Sequence, residues 1–417
     1  MDLTLTIFLL VYLVMGLGTL PGFKVDRTGA AVIGAVAVMA TGSISAASAW
    51  AAIDYSSLGM LFGLMVVSAA FTVSGFYGWT TQRVAESNVS EPLLLAMLIG
   101  ASGLMAAFLT NDVVAVAMSP LLISLTLSRG LNPIPFLLGF CFAANAGAAA
   151  TIIGSPQNMI AAQKLHLSFA GVSKIAALPA LIALPMIWAI ICFLYRGRWK
   201  LTAKPALTAQ AAPQATPLAA TLPVFSLAET LKAAIIGLSV IGAFIFTDWP
   251  RELVALSGAG FLLLSRRISS KDMLGQVDGN LLLLITGLFV VNAALAATGL
   301  PQILLGYMTE SGIDLGEPLP LFFISAVLSN LVGNNPAVIL LVPYLHADSD
   351  PNALGAALSL GTHFSSNLII FGSLAGIIMV ERAAAFGLKI SFGEFSRAGA
   401  LVTLATMGFA SIWILLT

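Results

Sequence analysis

Charged side chains are nearly missing from this sequence. Lys, Arg, Asp and Glu together make up 9% of its 417 residues, against 59% for the hydrophobic types. A soluble domain carries about 25% charged residues, so this chain cannot cover a water-facing surface, and a soluble globular protein is excluded. The basic and acidic residues, 18 of each, cancel, which leaves no footprint for nucleic acid. There are 2 cysteines and 3 histidines. Cys141 and Cys192 both lie in apolar runs, which excludes a disulfide framework and a zinc site. No nucleophile–base pair or metal cluster points to an enzyme or to a bound cofactor. The GxxxxGK[ST] pattern is missing as well, so coupling to ATP would require a separate ATPase subunit as partner. Alternating strands of about ten residues do not occur, which excludes a β-barrel. The first segment, LTLTIFLLVYLVMGLGTL, has no basic region before it and no small-x-small site after it. It is expected to be a first span rather than a signal peptide.

What the chain has instead is apolar runs of roughly 18 residues or more, recurring along its length. The fold class is therefore an all-α polytopic membrane protein, placed in the cell membrane as a multi-pass chain (the inner membrane in a bacterium). It is also two copies of one unit. Asp54–Gly75 reads DYSSLGMLFGLMVVSAAFTVSG and Asp278–Gly299 reads DGNLLLLITGLFVVNAALAATG, with 9 of 22 positions identical at an offset of 224. The same offset pairs Gly34 with Gly258. An internal repeat in a membrane chain points first to a secondary transporter. Residues 1–200 form the first repeat and 226–417 the second. Between them, residues 201–225 are rich in Ala, Pro, Thr and Gln and are expected to be a cytoplasmic linker.

In the first half, spans are expected at about 3–20, 28–47, 55–77, 92–128, 133–162 and 168–195. The 92–128 segment is too long for one span and carries Thr110-Asn111-Asp112 at its centre. Two half-length helices forming a re-entrant hairpin fit it, because open backbone at that depth is tolerated only inside protein or beside a wet cavity. The second half repeats this, with a hairpin at about 318–345. Five full crossings per half make the two repeats inverted in topology. Loop charges agree: with the linker in the cytoplasm, the opposite side keeps only Lys164, Lys174 and Arg251 of the 18 basic residues.

Four polar islands interrupt the spans: FLTNDVVAVAMSP, ANAGAAATIIGSPQNMIA, SNLVGNNPAVILLVP and LGTHFSSNLIIFGSLAG. They recur in order, with Asn111 answering to Asn334, Asp112 to Asn335, and Gly154-Ser155 to Gly372-Ser373. Pro156 cannot continue a smooth helix, so broken helices are expected at about 133–162 and 353–380. Their open N–H ends suit an anion and their C=O ends a cation or polyol. The candidate substrate-binding residues are Thr110, Asn111, Asn145, Ser155, Asn158, Asn334, Asn335 and Ser373. Asp112 and His363 are the candidates for proton coupling, since an intramembrane carboxylate costs roughly 2.5–3.5 kcal/mol and such groups are usually functional. Asp54 and Asp278 begin spans and are read as helix caps.

On these islands the chain resembles the ion transporter superfamily over nearly its whole length. Symporters of that superfamily carry Ser-Asn-Thr at two hairpin tips, each followed by a broken helix. Here Thr110-Asn111-Asp112 and Gly333-Asn334-Asn335 hold the tip positions, and Gly154-Ser155-Pro156-Gln157-Asn158 holds the first break. The second break has decayed to Gly372-Ser373-Leu374-Ala375. Within the superfamily these motifs, and the ending ISFGEFSRAG, look most like the arsenite efflux permeases and related anion permeases. The resemblance implies a scaffold part and a transport part, a homodimer and elevator-type alternating access. An ionised Asp112 would repel an anion in a low-dielectric cavity, so the expectation is export of neutral arsenite or antimonite by proton antiport through Asp112. The alternative is sodium- or proton-coupled transport of a small anion, a dicarboxylate or an oxyanion; a channel fits the repeat less well.

Overall fold

The computed structural model describes residues 3–20, 22–87, 89–201, 224–345 and 350–417. The linker expected at 201–225 lies almost wholly outside the described residues. Among the described residues the repeat is visible as twice ten α-helices in the same order. The first ten are α1 (Leu3–Leu17), α2 (Arg27–Ala40), α3 (Ala46–Ala52), α4 (Tyr55–Val73), α5 (Phe76–Glu86), α6 (Glu91–Leu109), α7 (Asn111–Ser128), α8 (Pro133–Ala148), α9 (Pro156–Lys164) and α10 (Phe169–Leu194). The second ten are α11 (Leu227–Phe246), α12 (Arg251–Leu263), α13 (Ser270–Leu274), α14 (Gly279–Ala296), α15 (Leu300–Glu310), α16 (Pro318–Val332), α17 (Asn334–Leu341), α18 (Pro351–Ser365), α19 (Leu374–Ala385) and α20 (Phe392–Leu416). Each helix of the first half corresponds to the one numbered ten higher. Among the described residues, 7 helices are long and apolar enough to cross a membrane, and shorter apolar helices such as α1, α2, α8 and α16 join them. This is a multi-pass membrane protein.

The two repeats interlock. α2 of the first half packs against α14 of the second, and α12 of the second packs against α4 of the first. Small residues make these crossings close. A Cβ on Gly63 would meet the backbone of Ala255 at 2.5 Å, and a Cβ on Gly287 would meet the backbone of Ala31 at 2.7 Å. Both pairs are related by the repeat offset of 224. Lipid gives helices no hydrophobic reason to associate, so contact through small residues is what holds such crossings together. The remaining helices, α6–α10 and α16–α20, pack chiefly among themselves: α6 on α8, α16 on α18, and α10 on both α8 and α18.

Several boundaries differ from the sequence-based expectation. The span expected at 28–47 ends at Ala40, where Thr41 and Gly42 (φ 75°) turn the chain toward the short α3. α5 and α15 were not expected; each follows a left-handed glycine, Gly75 or Gly299, both with φ 76°. The hairpin at 92–128 is present, yet its helices are not half-length. α6 and α7 have 19 and 18 residues, about 28 and 27 Å at 1.5 Å per residue. They end inside the protein because the backbone reverses at Thr110, whose φ of 61° falls in a region that L residues avoid. Gly333 occupies the same place in the second hairpin with φ 92°.

We expect Gly63→Ala and Gly287→Ala each to destabilise the fold by roughly 1–3 kcal/mol through overpacking. Thermal unfolding in detergent would read this as a lowered Tm, while Gly100→Ala, which has open space around it, should leave the Tm unchanged.

Candidate functional site

The two breaks are built from local requirements. α8 stops at Ala148, and Pro156 occupies the first turn of α9, where its missing N–H costs nothing. The carbonyls left open by the break find a partner in Asn158, whose Nδ2 shares its two protons among Ala148 O (3.1 Å), Thr151 O (2.9 Å) and Ser359 Oγ (2.8 Å). Gly154 lies so close to Ala148 that a Cβ would sit 2.7 Å from its Cα, so the turn requires glycine. In the second half α18 stops at Ser365, a 3-10 turn spans Ile370–Gly372, and Ser373 caps α19 by accepting from Gly376 N (3.0 Å). The helix is broken there without a Pro-Asn pair.

The hairpin tips reach these breaks. Asn111 N–H donates to Gly154 O (3.0 Å), and its Nδ2 donates to Asn145 Oδ1 (3.2 Å). Asn145 is fully buried, and its own Nδ2 donates to Asn367 Oδ1 (3.0 Å) and Ser373 Oγ (3.1 Å). One carboxamide thus joins the first tip to the second break. At the second tip, Asn334 Oδ1 accepts from Ser366 Oγ (2.9 Å).

Between the tips lies a cavity of 210 Å³, walled by Asn111, Asp112, Gln157, Asn334, Asn335 and Ser373 together with Arg27, Thr28, Asp278 and Asn280. Its size suits a small solute rather than a drug-sized one. The N-terminal ends of α7, α9, α17 and α19 all contribute to the wall. Each brings the positive end of its dipole, and leaves open those first-turn N–H groups that are not already bonded, as Asn111 N–H is to Gly154 O. Arg27 adds a full charge, held by a hydrogen bond from its Nε to Met15 O (2.9 Å). Asp112 and Asp278 supply two carboxylates. Asp112 has no ion-pair or side-chain hydrogen-bond partner among the described residues. Asp278 does cap α14, accepting from Leu281 N (3.0 Å), and faces the cavity as well.

Of the residues singled out from sequence, Asn111, Asp112, Asn334, Asn335 and Ser373 line the cavity. Asn145 lies immediately behind them. Thr110 and Ser155 are buried with hydroxyls that have no protein partner among the described residues. Asn158 is spent on the backbone of the break. His363 lies behind Gln157. Its Nδ1 is 2.7 Å from Ser359 O, so that nitrogen carries the proton, and Nε2 accepts from Gln157 Nε2 at 3.1 Å. The imidazole orients the amide that lines the wall. Arg27, Gln157, Asp278 and Asn280 were missed as wall residues. The repeat carried a signal for two of them, since Arg27 answers to Arg251 and Asp278 to Asp54 at the offset of 224.

Asp54, just before α4, also caps its helix, accepting from Ser57 N (3.0 Å), and it pairs with Lys164 Nζ at 3.1 Å. Burial would raise this carboxyl, but the Ser57 hydrogen bonds and the Lys164 ammonium outweigh it and hold the group below the usual carboxylate range.

The citrate transporter family, CitMHS, matches residues 10–361 of the chain. The chain belongs to this family. It is 26% identical over 438 residues to a 46 kDa membrane protein of Mycobacterium leprae, covering 99% of this chain and 97% of that one. A silicon efflux transporter of Oryza sativa is 33% identical over 165 residues, 40% of this chain and 34% of its own. The YdaH transporter of Alcanivorax borkumensis, solved as a crystal structure and described as having an unusual topology, superposes with a TM-score of 0.56 at 15% identity. That likeness covers 99% of this chain and 98% of that one. This citrate transporter family member is accordingly a membrane transporter of the anion-permease kind. The family match does not single out the arsenite efflux branch that the motifs resembled.

We expect Asn145→Ala to be the most damaging substitution among the polar residues that join the tips to the breaks. It leaves the Asn111 amide and the Asn367 carbonyl unpaired in a dry interior, at roughly 1–3 kcal/mol per group. A lowered Tm in detergent, with Asn145→Asp less damaging than Asn145→Leu, would report it.

Proposed function

We propose that the protein is a cation-coupled secondary transporter of small carboxylate anions. The observation that carries this reading is the meeting of Arg27 with four helix N-termini at one small cavity. A carboxylate accepts hydrogen bonds from N–H groups and pairs with a guanidinium in a forked geometry. Asp112 and Asp278 would repel the anion if both stayed ionised in a low-dielectric cavity. A cation bound there, or protons taken up there, removes that repulsion, which makes loading of the anion conditional on the coupling ion. A proton is the first choice for that ion and sodium the second. The ion gradient supplies the energy, so no ATPase subunit is required; a homodimer is kept as part of this reading.

A second reading is export of a neutral polyhydroxyl solute such as arsenous or antimonous acid by proton antiport, with Asp112 as proton carrier. The wall's amides, from Asn111, Gln157, Asn334 and Asn335, can both donate to and accept from hydroxyls. The rice relative's name, a silicon efflux transporter, also favours this class of solute. An elevator movement of α6–α10 with α16–α20 serves either reading.

The test is uptake of labelled citrate, succinate and arsenite into proteoliposomes under an imposed proton or sodium gradient. We expect gradient-dependent carboxylate uptake, and a KM at least about tenfold higher in Arg27→Gln, on the scale of one lost charge-assisted hydrogen-bond pair. Arsenite accumulation without carboxylate uptake, insensitive to Arg27→Gln, would replace this reading with the second.

A further inference from the structure

The two repeats have the same helices in the same order, yet they do not make the same contacts. In the first repeat α9 packs against α4, and polar groups tie its end down. Lys164 pairs with Asp54 at 3.1 Å. Gln163 Nε2 donates to Glu252 Oε2 at 2.8 Å. Arg251 donates to Ala162 O at 3.0 Å and also to Leu167 O, which caps the last turn of α9. At the tip, Asn111 N–H is bonded to Gly154 O.

The symmetry-related positions around α19 hold counterparts of most of these groups, and they stand apart. Asp278 answers to Asp54 and Arg27 to Arg251, each 224 positions away. Lys164 lies nine residues beyond Ser155, and nine residues beyond Ser373 lies Arg382, with Glu381 answering to Gln163. α19 and α14, the counterparts of α9 and α4, are not packed together; the cavity opens between them, with Asp278 on one wall and Ser373 on the other. Arg382 is exposed and has no partner among the described residues. Arg27 reaches no carbonyl of α19 and donates to Met15 O instead. Gly372 O lies 3.0 Å from Ser366 Oγ and is not bonded to the Asn334 N–H.

We infer that Asp278 and Arg382 are the second of two alternating gate pairs: they join when the cavity closes on their side, and Asp54 and Lys164 then separate. The structure holds one gate shut and the other open, and exchanging the conformations of the two repeats produces the opposite state. In that state Arg27 caps the last turn of α19 as Arg251 caps α9 here. By the loop-charge orientation, the shut gate faces outward and the open one faces the cytoplasm. The two gates exclude each other because α8–α9 and α18–α19 are joined through Asn145, Asn367 and Ser373. A movement that brings Arg382 to Asp278 therefore carries Lys164 away from Asp54. The inference rests on alternating access and not on which solute is carried.

The test uses the full chain in membranes, with Cys141→Ala and Cys192→Ala as background. Two cysteine pairs are compared: Asp54→Cys with Lys164→Cys, and Asp278→Cys with Arg382→Cys. Each is oxidised without solute, so the result does not depend on the transport assay. We expect both pairs to cross-link. Adding Lys164→Gln to the second pair weakens the shut gate and should speed its cross-linking roughly two- to fivefold, the scale of a partly exposed ion pair. The inference is overturned if the first pair cross-links, which shows folded protein, while the second pair does not in either background. It is equally overturned if Lys164→Gln leaves the second rate unchanged.

Discussion

Backbone polar groups cannot be left open in hydrocarbon, and this chain interrupts its backbone at four places within the membrane domain. Everything else in the transport half follows from how those interruptions are satisfied. The side chains that do so are uncharged. Asn158 takes the carbonyls of one break, Ser373 caps the helix after the other, and Asn145 holds a tip and a break together. Carboxamides suit the task because each offers both donors and acceptors without the desolvation cost of a charge. Once these groups are tied to backbone and to one another, four helix N-termini are left aimed at one small space, and solute chemistry becomes available there.

The charges sit where that network does not reach. Arg27, Asp112 and Asp278 belong to the cavity wall, where water or solute can meet them. Lys164 and Asp54 meet at the far end of α9. The interlocked crossings of α2 with α14 and α4 with α12 form a frame of small-residue contacts that is the same in both repeats. Against that symmetric frame, the movable parts are asymmetric: α9 is docked and α19 is not. A secondary transporter needs such a combination, a fixed frame and two equivalent positions of which one is occupied at a time.

Much of this was legible in the sequence for a physical reason. A bilayer imposes length, hydrophobicity and loop charge directly on the chain, so the membrane-spanning class, the repeat and its inversion can be read without contacts. The tips and breaks were legible because Pro156, Gly154 and Gly333 forbid a continuous helix locally. Less legible were the lengths of α6 and α7, because an apolar run does not say where within the membrane it turns. α5 and α15 were missed because helices of 11 residues that follow a span directly are passed over when long apolar runs alone are read; their amphipathic pattern was there to find. His363 illustrates the limit of residue type as evidence: an imidazole in a polar island looked like a proton carrier, and the fold places it behind Gln157 with both nitrogens engaged.

The sequence by itself determined the solvent of this protein, its duplicated and inverted plan, and the positions where its helices must stop. Those are properties of short stretches, decided by composition, by proline and glycine geometry, and by the cost of burying charge. Only the tertiary structure decided that Arg27 and Asp278 share a wall with Asp112, that Asn158 serves the backbone, and that one repeat is closed while the other is open. The shared wall and the docking depend on contacts between residues far apart in the sequence, and the role of Asn158 on a turn whose geometry residue type does not reveal. The two repeats carry similar local instructions, so which of them is docked is decided by packing.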